Sequence, residues 1–459
     1  MTVHCSSVGK IRALIIFCCL ALIFGIFGYA YLTEKYKEVV GKEEIQDNLD
    51  TPAEDLKEYD YISSYIKDFG VGNVNNYKLN TVETQLETDF YKELPEEKEL
   101  AKVTVELFLE YFYDDIDLEN KEDVTDAILK CLFASIGDPY AYYRTVDEFA
   151  EYLESLETTE EKAGIGVLIN RTTAEILMVY TGLSAELAGI QPGDIITSVN
   201  GTWMNAENRE ELLNSIPGEP GTEVTIAIRR NNDLVSHEFT IMRTMFTGTV
   251  FYKVDADGVG YIQVTQFLEE TESDFKDAVD HCVDGGAKAL VIDMRYNPGG
   301  LLSSVTNMID YLVPDAENRR IASYTQQGNE YVYYTKDGHS VDLPIAVLCN
   351  DQTASAGELF TAAMRDYAKD GILKALIVGT KTYGKGIVQS SYTLYDLSGI
   401  TYTIGYYNPP CNVNYDGIGI TPDIVILSSK PVLQFDKAKE EILKIAEDQP
   451  TTAFIENAA

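Results

Sequence analysis

The amino-acid sequence predicts a mixed α/β core, a smaller β domain, an N-terminal helical segment and a single transmembrane helix. Between residues 258 and 430, short apolar runs alternate with amphipathic helical stretches, which is the pattern of a sheet covered by helices. Residues 160–245 instead carry short strands separated by glycine-containing turns. Residues 13–33 contain no charged side chain. These three patterns divide the chain into its parts.

The N-terminal segment is long enough to span a bilayer. Lys10 and Arg12 precede the 21 uncharged residues 13–33, which exceed the core of a usual signal peptide. We therefore expect an uncleaved signal anchor in residues 1–33, with the rest of the chain on the extracytoplasmic side of the cell membrane. Gly28-Tyr-Ala30 leaves open the alternative of a cleaved signal peptide and a secreted protein.

Composition and charge restrict the classes of partner. The chain has 459 residues, with 74 acidic and 36 basic side chains and a formal net charge of −38 at pH 7. This excess of carboxylates repels polyanions, so the sequence argues against nucleic acid as a partner. The seven cysteines have no metal-ligand spacing, and no nucleotide-binding fingerprint is present, so we expect neither a metal nor an organic cofactor.

Two segments follow the predicted anchor. Residues 34–95 are polar and acidic, which is typical of a linker that need not pack. Residues 96–157 place apolar side chains at helical spacing, with Leu107 and Phe108 on one such stripe, and the Gly137-Asp-Pro-Tyr140 turn follows. We therefore expect a helical N-terminal segment at residues 96–157.

Residues 158–246 predict the small β domain. Ala163-Gly-Ile-Gly-Val-Leu-Ile169 indicates a glycine-containing turn that enters a strand, and residues 184–201 indicate a short helix, a Pro-Gly turn, a strand and an Asn-Gly turn. The turn formed by Gly164, Ile165, Gly166 and Val167 can offer backbone amides to the carboxylate at the end of a peptide. The adjoining strand edge can then pair with that peptide, so this domain is predicted to bind peptides.

Residues 247–430 form the predicted α/β core, and residues 431–459 a C-terminal helix and tail. Strands are expected at 260–264, 289–295 and 344–349, with helices between them. Tyr296-Asn-Pro-Gly-Gly300 follows the second strand. Because glycines at a strand end let backbone amides approach a ligand closely, this turn is a candidate binding element.

Ser355 and Lys385 are the candidate catalytic residues. Ser355 lies in the turn between strand 344–349 and a helix, whose first-turn amides point at any anion formed beside it. Lys385 lies between two apolar segments, and if residues 385–389 form a strand, Lys385 and Gln389 share one face. A lysine against apolar neighbours has a lowered pKa and can act as a base, which predicts a Ser–Lys dyad.

These motifs occur over residues 100–430 in the order found in a known family. Thr353-Ala-Ser-Ala-Gly-Glu358, Tyr383-Gly-Lys-Gly386, Gln389 and Asp293-Met-Arg-Tyr-Asn-Pro-Gly-Gly300 resemble the signature of the C-terminal processing peptidases, the tail-specific S41 serine proteases. The resemblance implies that Ser355 is the nucleophile, Lys385 the general base and Gln389 its assistant. It also implies an oxyanion hole formed by the amide of Gly299 or Gly300 with that of Ala356.

The same resemblance carries implications for fold and function. It implies a crotonase/Clp-like mixed sheet with helices for the core and a PDZ domain for residues 158–246. The implied function is an exported, membrane-anchored serine endopeptidase, whose PDZ domain recruits protein substrates by unstructured, apolar C-termini. Self-association is left open.

The chain departs from the family pattern at several positions. Thr353 and Gly357 replace serines, the interval from Ser355 to Lys385 is longer than usual, and Pro217 stands where the family often has a basic residue. Two alternatives therefore stay open. One is a catalytically silent PDZ scaffold that binds peptides, and the other is a crotonase-type acyl-transfer enzyme.

Overall fold

The computed structural model describes residues 74–86, 97–112, 116–157, 161–230, 233, 235–314, 318–326 and 328–447. They fall into two compact units. The first comprises the described residues up to Tyr152, with Gln326–Asn329 and Val388–Gly405; the second comprises Leu153–Thr325, Glu330–Ile387 and the described residues from Tyr406 onward. The predicted anchor at residues 13–33 lies outside the described residues, among which no helix is long and apolar enough to cross a membrane.

The first unit is mainly helical. Its elements are α1 (Asn76–Leu86), α2 (Glu97–Tyr111), α3 (Lys121–Ser135), β1 (Tyr142–Arg144) and the start of α4 (Val146–Glu157). Asn120 caps α3 by accepting hydrogen bonds from the amides of Glu122 and Asp123. β1 pairs antiparallel with Gly399–Thr401 of the same unit.

Part of the predicted linker is helical. The acidic composition of residues 34–95 is typical of a linker that need not pack, yet residues 76–86 within it form α1. Leu79 and Val82 of this helix are fully buried, and the ammonium group of Lys78 forms ion pairs with Asp126 and Asp396. These apolar residues form a short stripe that packs against α3. Acidic residues in the neighbouring sequence made this stripe difficult to recognise.

Residues 162–246 of the second unit form a small β domain with its own core. Its elements are β2 (Lys162–Gly164), β3 (Val167–Ile169), β4 (Ile176–Val179), α5 (Ser184–Leu187), β5 (Ile195–Val199), β6 (Thr202–Trp203), α6 (Arg209–Asn214), β7 (Glu223–Arg229), β8 (His237–Met242) and β9 (Thr244–Phe246). A four-stranded antiparallel sheet has the order β6-β5-β7-β8, while β3 pairs with β4 and β2 with β9. Buried isoleucines and valines from both groups of strands form one cluster.

The rest of the second unit is built on a six-stranded sheet. The sheet and the elements that follow along the chain are β10 (Val250–Val254), β11 (Val259–Val264), α7 (Thr271–Asp284), β12 (Ala289–Asp293), α8 (Leu302–Leu312), β13 (Arg320–Gln326), β14 (Asn329–Tyr334), β15 (Ile345–Cys349), α9 (Ala356–Lys369), β16 (Ala375–Gly379), β17 (Ile387–Thr393), β18 (Gly399–Asn408), β19 (Ile424–Val425) and α10 (Pro431–Glu447). Of these, β17 and β18 lie mostly in the first unit. The strand order of the six-stranded sheet is β10-β11-β12-β15-β16-β19. β11, β12, β15, β16 and β19 are parallel, and β10 is antiparallel to β11.

Helices cover both faces of this sheet, which confirms the mixed α/β core. Every residue of β12 and β15 is buried, as expected for central parallel strands, whose sequences are continuous apolar runs. Ala438 and Ile442 of α10 pack in one cluster with strand residues such as Val291 and Leu348. The strands predicted at 260–264, 289–295 and 344–349 begin and end within two residues of β11, β12 and β15, and α10 begins at the predicted residue 431.

Candidate active site

Ser355 occupies the strand-to-helix turn that the sequence predicts. β15 ends at Cys349, α9 begins at Ala356, and Ser355 lies between them with φ 53° and ψ −119°. A positive φ is unfavourable for a non-glycine residue and costs about 1–3 kcal/mol, so the surrounding structure must hold this conformation. The turn leaves Ser355 partly exposed at the start of a helix, which is where the sequence places the candidate nucleophile.

The helix behind Ser355 is a rigid support. Leu359, Phe360 and Ala363 are fully buried, and the ring of Phe360 contacts that of Phe275 in α7 edge to face. These side chains, at helical spacing in the sequence, form the buried face of α9. Because that face is anchored in the core, the first turn of α9 stays in a defined position.

Glu358 connects the serine to the lysine segment, a role that our sequence reasoning missed. Its buried carboxylate accepts hydrogen bonds from the amides of Ser355 (3.0 Å), Lys385 (2.7 Å) and Gly384 (2.6 Å) and from the hydroxyl of Thr382 (2.6 Å). Burial raises the pKa of this carboxyl, and the four hydrogen bonds oppose that rise. One side chain thus fixes the backbone on both sides of the proposed dyad.

The sequence contains a local signal for Glu358. Ser355-Ala-Gly-Glu358 has the spacing of a capping box, in which the acidic residue at the third helical position bonds back to the amide of the cap. The structure contains this bond. The pattern does not show that the same carboxylate also reaches residues 382–385.

Lys385 lies just before a strand and not within it. β17 begins at Ile387, so the expectation of a strand from 385 to 389 was wrong at its start. The amide of Lys385 donates to Glu358, and that of Gly386 donates to the carboxylate of Asp416 (2.9 Å). Since side chains accept from these two amides, Lys385 and Gly386 are not paired with a neighbouring strand through them.

Two buried tyrosines bond to the carbonyls of the candidate residues. The hydroxyl of Tyr407 donates to the carbonyl of Lys385 (3.1 Å), and that of Tyr415 donates to the carbonyl of Ser355 (3.4 Å). Their rings pack edge to face with centroids 5.9 Å apart. Burial raises the pKa of both phenols, which keeps them protonated as donors. Neither was singled out from sequence, because distant tyrosines have no local pattern.

The glycine pair after β12 lies against the serine turn. A Cβ atom at Gly299 would come within 2.7 Å of the Cβ of Ser355 and 3.0 Å of the amide nitrogen of Ala356, and Gly299 has a φ of 106°. A Cβ at Gly300 would lie 2.1 Å from the carbonyl oxygen of Phe267. Only glycine permits this approach, as the sequence pattern indicates.

The two glycine amides differ in their partners. The amide of Gly299 donates to the Oδ1 atom of Asn297 (2.8 Å), whereas a bridge to Phe267 uses the carbonyl of Gly299 and the amide of Leu301. Within the described ranges, no residue accepts a hydrogen bond from the amide of Gly300 or that of Ala356. The pair Gly300 and Ala356 therefore matches the predicted oxyanion hole better than Gly299.

Gln389 lies in the first unit. Its side-chain amide donates to the carbonyl of Tyr140, a residue of the predicted Gly-Asp-Pro-Tyr turn. Its role as an assistant to Lys385 stays a prediction.

The predicted peptide-binding loop lies at the start of β3. Gly166 has a φ of 80°, and in the part of the chain that is described, the amides of Ile165 and Gly166 have no acceptor. β3 pairs only with β4 among the described strands, which leaves its other edge for an added strand. Across the described ranges, no group of three or more His, Cys, Asp or Glu side chains could hold a metal ion.

Comparisons with known sequences match both domains. Residues 258–426 match the model of peptidase family S41, and residues 175–230 match a PDZ domain model. A probable CtpA-like serine protease of Staphylococcus aureus (strain MRSA252) is 30% identical over 317 residues, which cover 68% of this chain and 62% of that protein. The corresponding protein of Staphylococcus haemolyticus (strain JCSC1435) is 30% identical over 315 residues, covering 68% and 61%. The chain thus spans less than two thirds of these curated relatives.

Solved structures give more distant matches. A photosystem II D1 C-terminal processing protease aligns with a TM-score of 0.44 and 22% identity, covering 81% of this chain and 93% of that one. A putative S41 protease from Bacteroides fragilis NCTC 9343 aligns with a TM-score of 0.49 and 20% identity, covering 75% and 95%.

Proposed function

We propose that this protein is a serine endopeptidase of the C-terminal processing type, because residues 258–426 match the model of peptidase family S41 and residues 175–230 match a PDZ domain model. Ser355 is the nucleophile, Lys385 the general base and Gln389 its assistant. The observation that carries the proposal is the buried carboxylate of Glu358, which bonds at once to the amides of Ser355 and Lys385.

The reaction follows from these groups. Neutral Lys385 takes the proton of the Ser355 hydroxyl while its oxygen attacks the carbonyl carbon of a peptide bond. The amides of Gly300 and Ala356 stabilise the negative charge that develops on the carbonyl oxygen. Lys385 then gives the proton to the leaving amine, and an acyl-enzyme remains on Ser355. Lys385 then takes a proton from the water that attacks this ester, and it returns that proton to the Ser355 oxygen as the second product leaves.

The PDZ domain recruits the substrate in this proposal. The amides at Ile165 and Gly166 bind the terminal carboxylate, and the free edge of β3 pairs with the last residues of an unstructured, apolar C-terminus. The availability of both amides and the edge supports this assignment.

We propose further that residues 13–33 anchor the protein in the cell membrane, with the peptidase on the extracytoplasmic side. The support is the uncharged sequence itself, which is long enough to span a bilayer.

Cleavage by the full chain, purified in mild detergent, tests the dyad. We expect it to cut an unstructured protein with an apolar C-terminal tail, and Ser355→Ala or Lys385→Met to lower kcat/KM by about 10³-fold or more. Lys381→Met, which changes an exposed lysine in the same segment, is the matched control and should retain activity. Fragments are identified by mass spectrometry, and thermal unfolding checks that each variant folds.

The outcomes separate the candidate functions. Full activity in either dyad variant would contradict the assignment of that residue. Tail binding without cleavage in the parent protein would favour a PDZ scaffold, and turnover of an acyl thioester would favour acyl transfer.

A further inference from the structure

Gln263 is a buried side chain of the core sheet that bonds to the backbone of the PDZ domain. It lies on β11 and is 2% exposed. Its Oε1 atom accepts a hydrogen bond from the amide of Thr181 (2.8 Å), and its Nε2 atom donates to the carbonyl of Val179 (3.0 Å). A primary amide can make both bonds at once because it carries a donor and an acceptor side by side.

The backbone that Gln263 holds also supports the peptide-binding loop. Tyr180, between the two bonded residues, donates its amide hydrogen to the carbonyl of Gly166 (2.9 Å). Val179 is the register partner of Val167 in the β3–β4 pair. A peptide that binds to the Gly164–Val167 loop therefore acts on β4, the strand to which Gln263 is hydrogen-bonded.

The other side of Gln263 leads to the serine turn. The carbonyl of the next residue, Val264, accepts a hydrogen bond from the Nδ2 atom of Asn297 (2.9 Å). The Oδ1 atom of Asn297 accepts the amide of Gly299, and its carbonyl accepts the amide of Ala354 (2.9 Å). Asn297 thus holds both the glycine pair and the residue before Ser355.

We propose that Gln263 is a positioning residue that couples occupancy of the Gly164–Val167 loop to the geometry of Gly300 and Ser355. The coupling rests on the proposed function for its effect on catalysis. Breaking either bond of Gln263 would leave a buried polar group without a partner, so β4 and β11 move together. A shift of β11 then reaches Asn297 through Val264 and changes the position of the oxyanion donors relative to Ser355.

A second link between the same two domains offers a matched control. Lys253 of β10 forms an ion pair with Glu186 of the PDZ domain, but its side chain is 43% exposed, whereas Gln263 is buried. Exposed pairs of this kind contribute little to stability. Removing this pair tests whether weakening any contact between the PDZ domain and the core sheet is enough to abolish the coupling.

The test uses the full chain in detergent and the variants Gln263→Met, Gln263→Glu and Lys253→Met. Gln263→Met keeps the side-chain length and loses both hydrogen bonds, whereas Gln263→Glu retains an acceptor for Thr181. The first readout compares kcat/KM for one unstructured substrate with and without its apolar tail. We expect tail-dependent stimulation to fall about fivefold or more in Gln263→Met, less in Gln263→Glu, and not in Lys253→Met.

The second readout does not require cleavage. Hydrogen exchange is measured at residues 293–301 in the Ser355→Ala protein, with a short peptide that ends in apolar residues and a free carboxylate. The same peptide with an amidated C-terminus is the control. We expect the free peptide to change exchange in this segment, and the change to vanish on adding Gln263→Met, while the peptide still binds by fluorescence anisotropy.

The two readouts separate the two proposals. Loss of the exchange response in Gln263→Met supports the coupling even if no substrate is cut, in which case only the proposed peptidase function fails. An unaltered response in Gln263→Met, or no response at 293–301 in the parent, overturns the coupling. Loss of the response in Lys253→Met as well would overturn the specific role of Gln263.

Discussion

At the residue scale, the site is organised by one carboxylate that bonds to two backbone segments. Ser355 has a positive φ, and residues 382–385 lie before the start of β17. Glu358 accepts hydrogen bonds from both segments and is fully buried. Its effect on the dyad is therefore positional: it holds the backbone that carries Ser355 and Lys385.

Glu358→Gln tests this positioning role. The amide of glutamine can accept at only one atom, so at least one of the four buried donors loses its partner, and we expect a loss of about 1–3 kcal/mol in the free energy of unfolding. We expect kcat to fall much more than KM changes, since the substrate does not contact Glu358. Thr382→Val removes one of the four donors and should have a smaller effect of the same kind. Equal changes in kcat and KM would contradict a purely positional role.

The residues of the site differ in how far the sequence could predict them. Ser355 and the glycine pair have local signals, because a small-residue strand-to-helix turn and a Pro-Gly-Gly turn restrict the backbone. Glu358 has a partial signal, because the capping box predicts its bond to the amide of Ser355 but not its bonds to residues 382–385. Tyr407 and Tyr415 have none, because their hydroxyls reach residues that are 22 and 60 positions away in the chain. Only tertiary structure creates such contacts.

At the scale of elements, α1 shows how a buried charge can join a helix to its surroundings. Lys78 is 1% exposed, and its ammonium group forms ion pairs with Asp126 of α3 and with Asp396 (both 2.6 Å). Burial alone would lower the pKa of Lys78, but the hydrogen bonds to Asp126, Asp396 and Tyr143 raise it. Burial likewise opposes the charge of Asp396, yet its bonds from Lys78 and Ser398 hold the pKa of this carboxyl below its ordinary value.

Lys78→Met should destabilise the first unit in a pH-dependent way. Removing the cation leaves two partly buried carboxylates unpaired, and we expect a loss of about 2 kcal/mol at pH 7, less than for a fully buried pair. Because the pKa of Asp396 is lowered on folding, its contribution is present above pH 3.8 and is lost as the pH falls further. The difference between Lys78→Met and the parent should therefore shrink below pH 3.8.

Urea unfolding followed over a range of pH measures this difference. Lys130→Met is the control, because its pair with Glu148 is 36% and 49% exposed and should contribute less than about 0.5 kcal/mol. A difference that stays constant down to pH 2 would show that Lys78 acts by packing alone.

The elements were predictable to different degrees. The buried strands β11, β12 and β15 have continuous apolar runs, and α9 has a clear helical stripe, so sequence periodicity located them. α1 was missed because acidic composition outweighed its few apolar positions. The start of β17 was misplaced because apolar residues on both sides of Lys385 resemble a strand, whereas Glu358 and Asp416 take its backbone donors.

At the scale of the whole molecule, the sequence predicted which domains are present better than it predicted which segments of chain form each of them. The PDZ domain is formed by a continuous stretch of chain, and the central strands of the core sheet each have a continuous apolar run. The first unit, in contrast, combines residues up to Tyr152 with residues 388–405 from the other end of the chain. Local sequence patterns do not predict that segments so far apart in the chain belong to one unit. The relation of the core to the crotonase/Clp fold stays a prediction.

The charge of the whole chain leads to a prediction about substrate choice. A formal net charge of −38 creates a negative potential that reaches beyond any single site, and it should slow the approach of acidic substrates and favour basic ones. This effect acts on encounter and not on the chemical step. It should therefore appear in kcat/KM and weaken with salt, since at 1 M salt the screening length falls to about 3 Å.

Two unstructured substrates with the same cleavage segment and the same apolar tail, but with lysine-rich or glutamate-rich flanks, test this prediction. At low ionic strength we expect kcat/KM to be about tenfold higher for the lysine-rich substrate, and the ratio to approach one as salt is added. A third substrate with neutral flanks controls for direct effects of salt on the enzyme. A ratio that is independent of salt would assign the preference to specific contacts near Ser355, and one below unity at low salt would contradict the prediction.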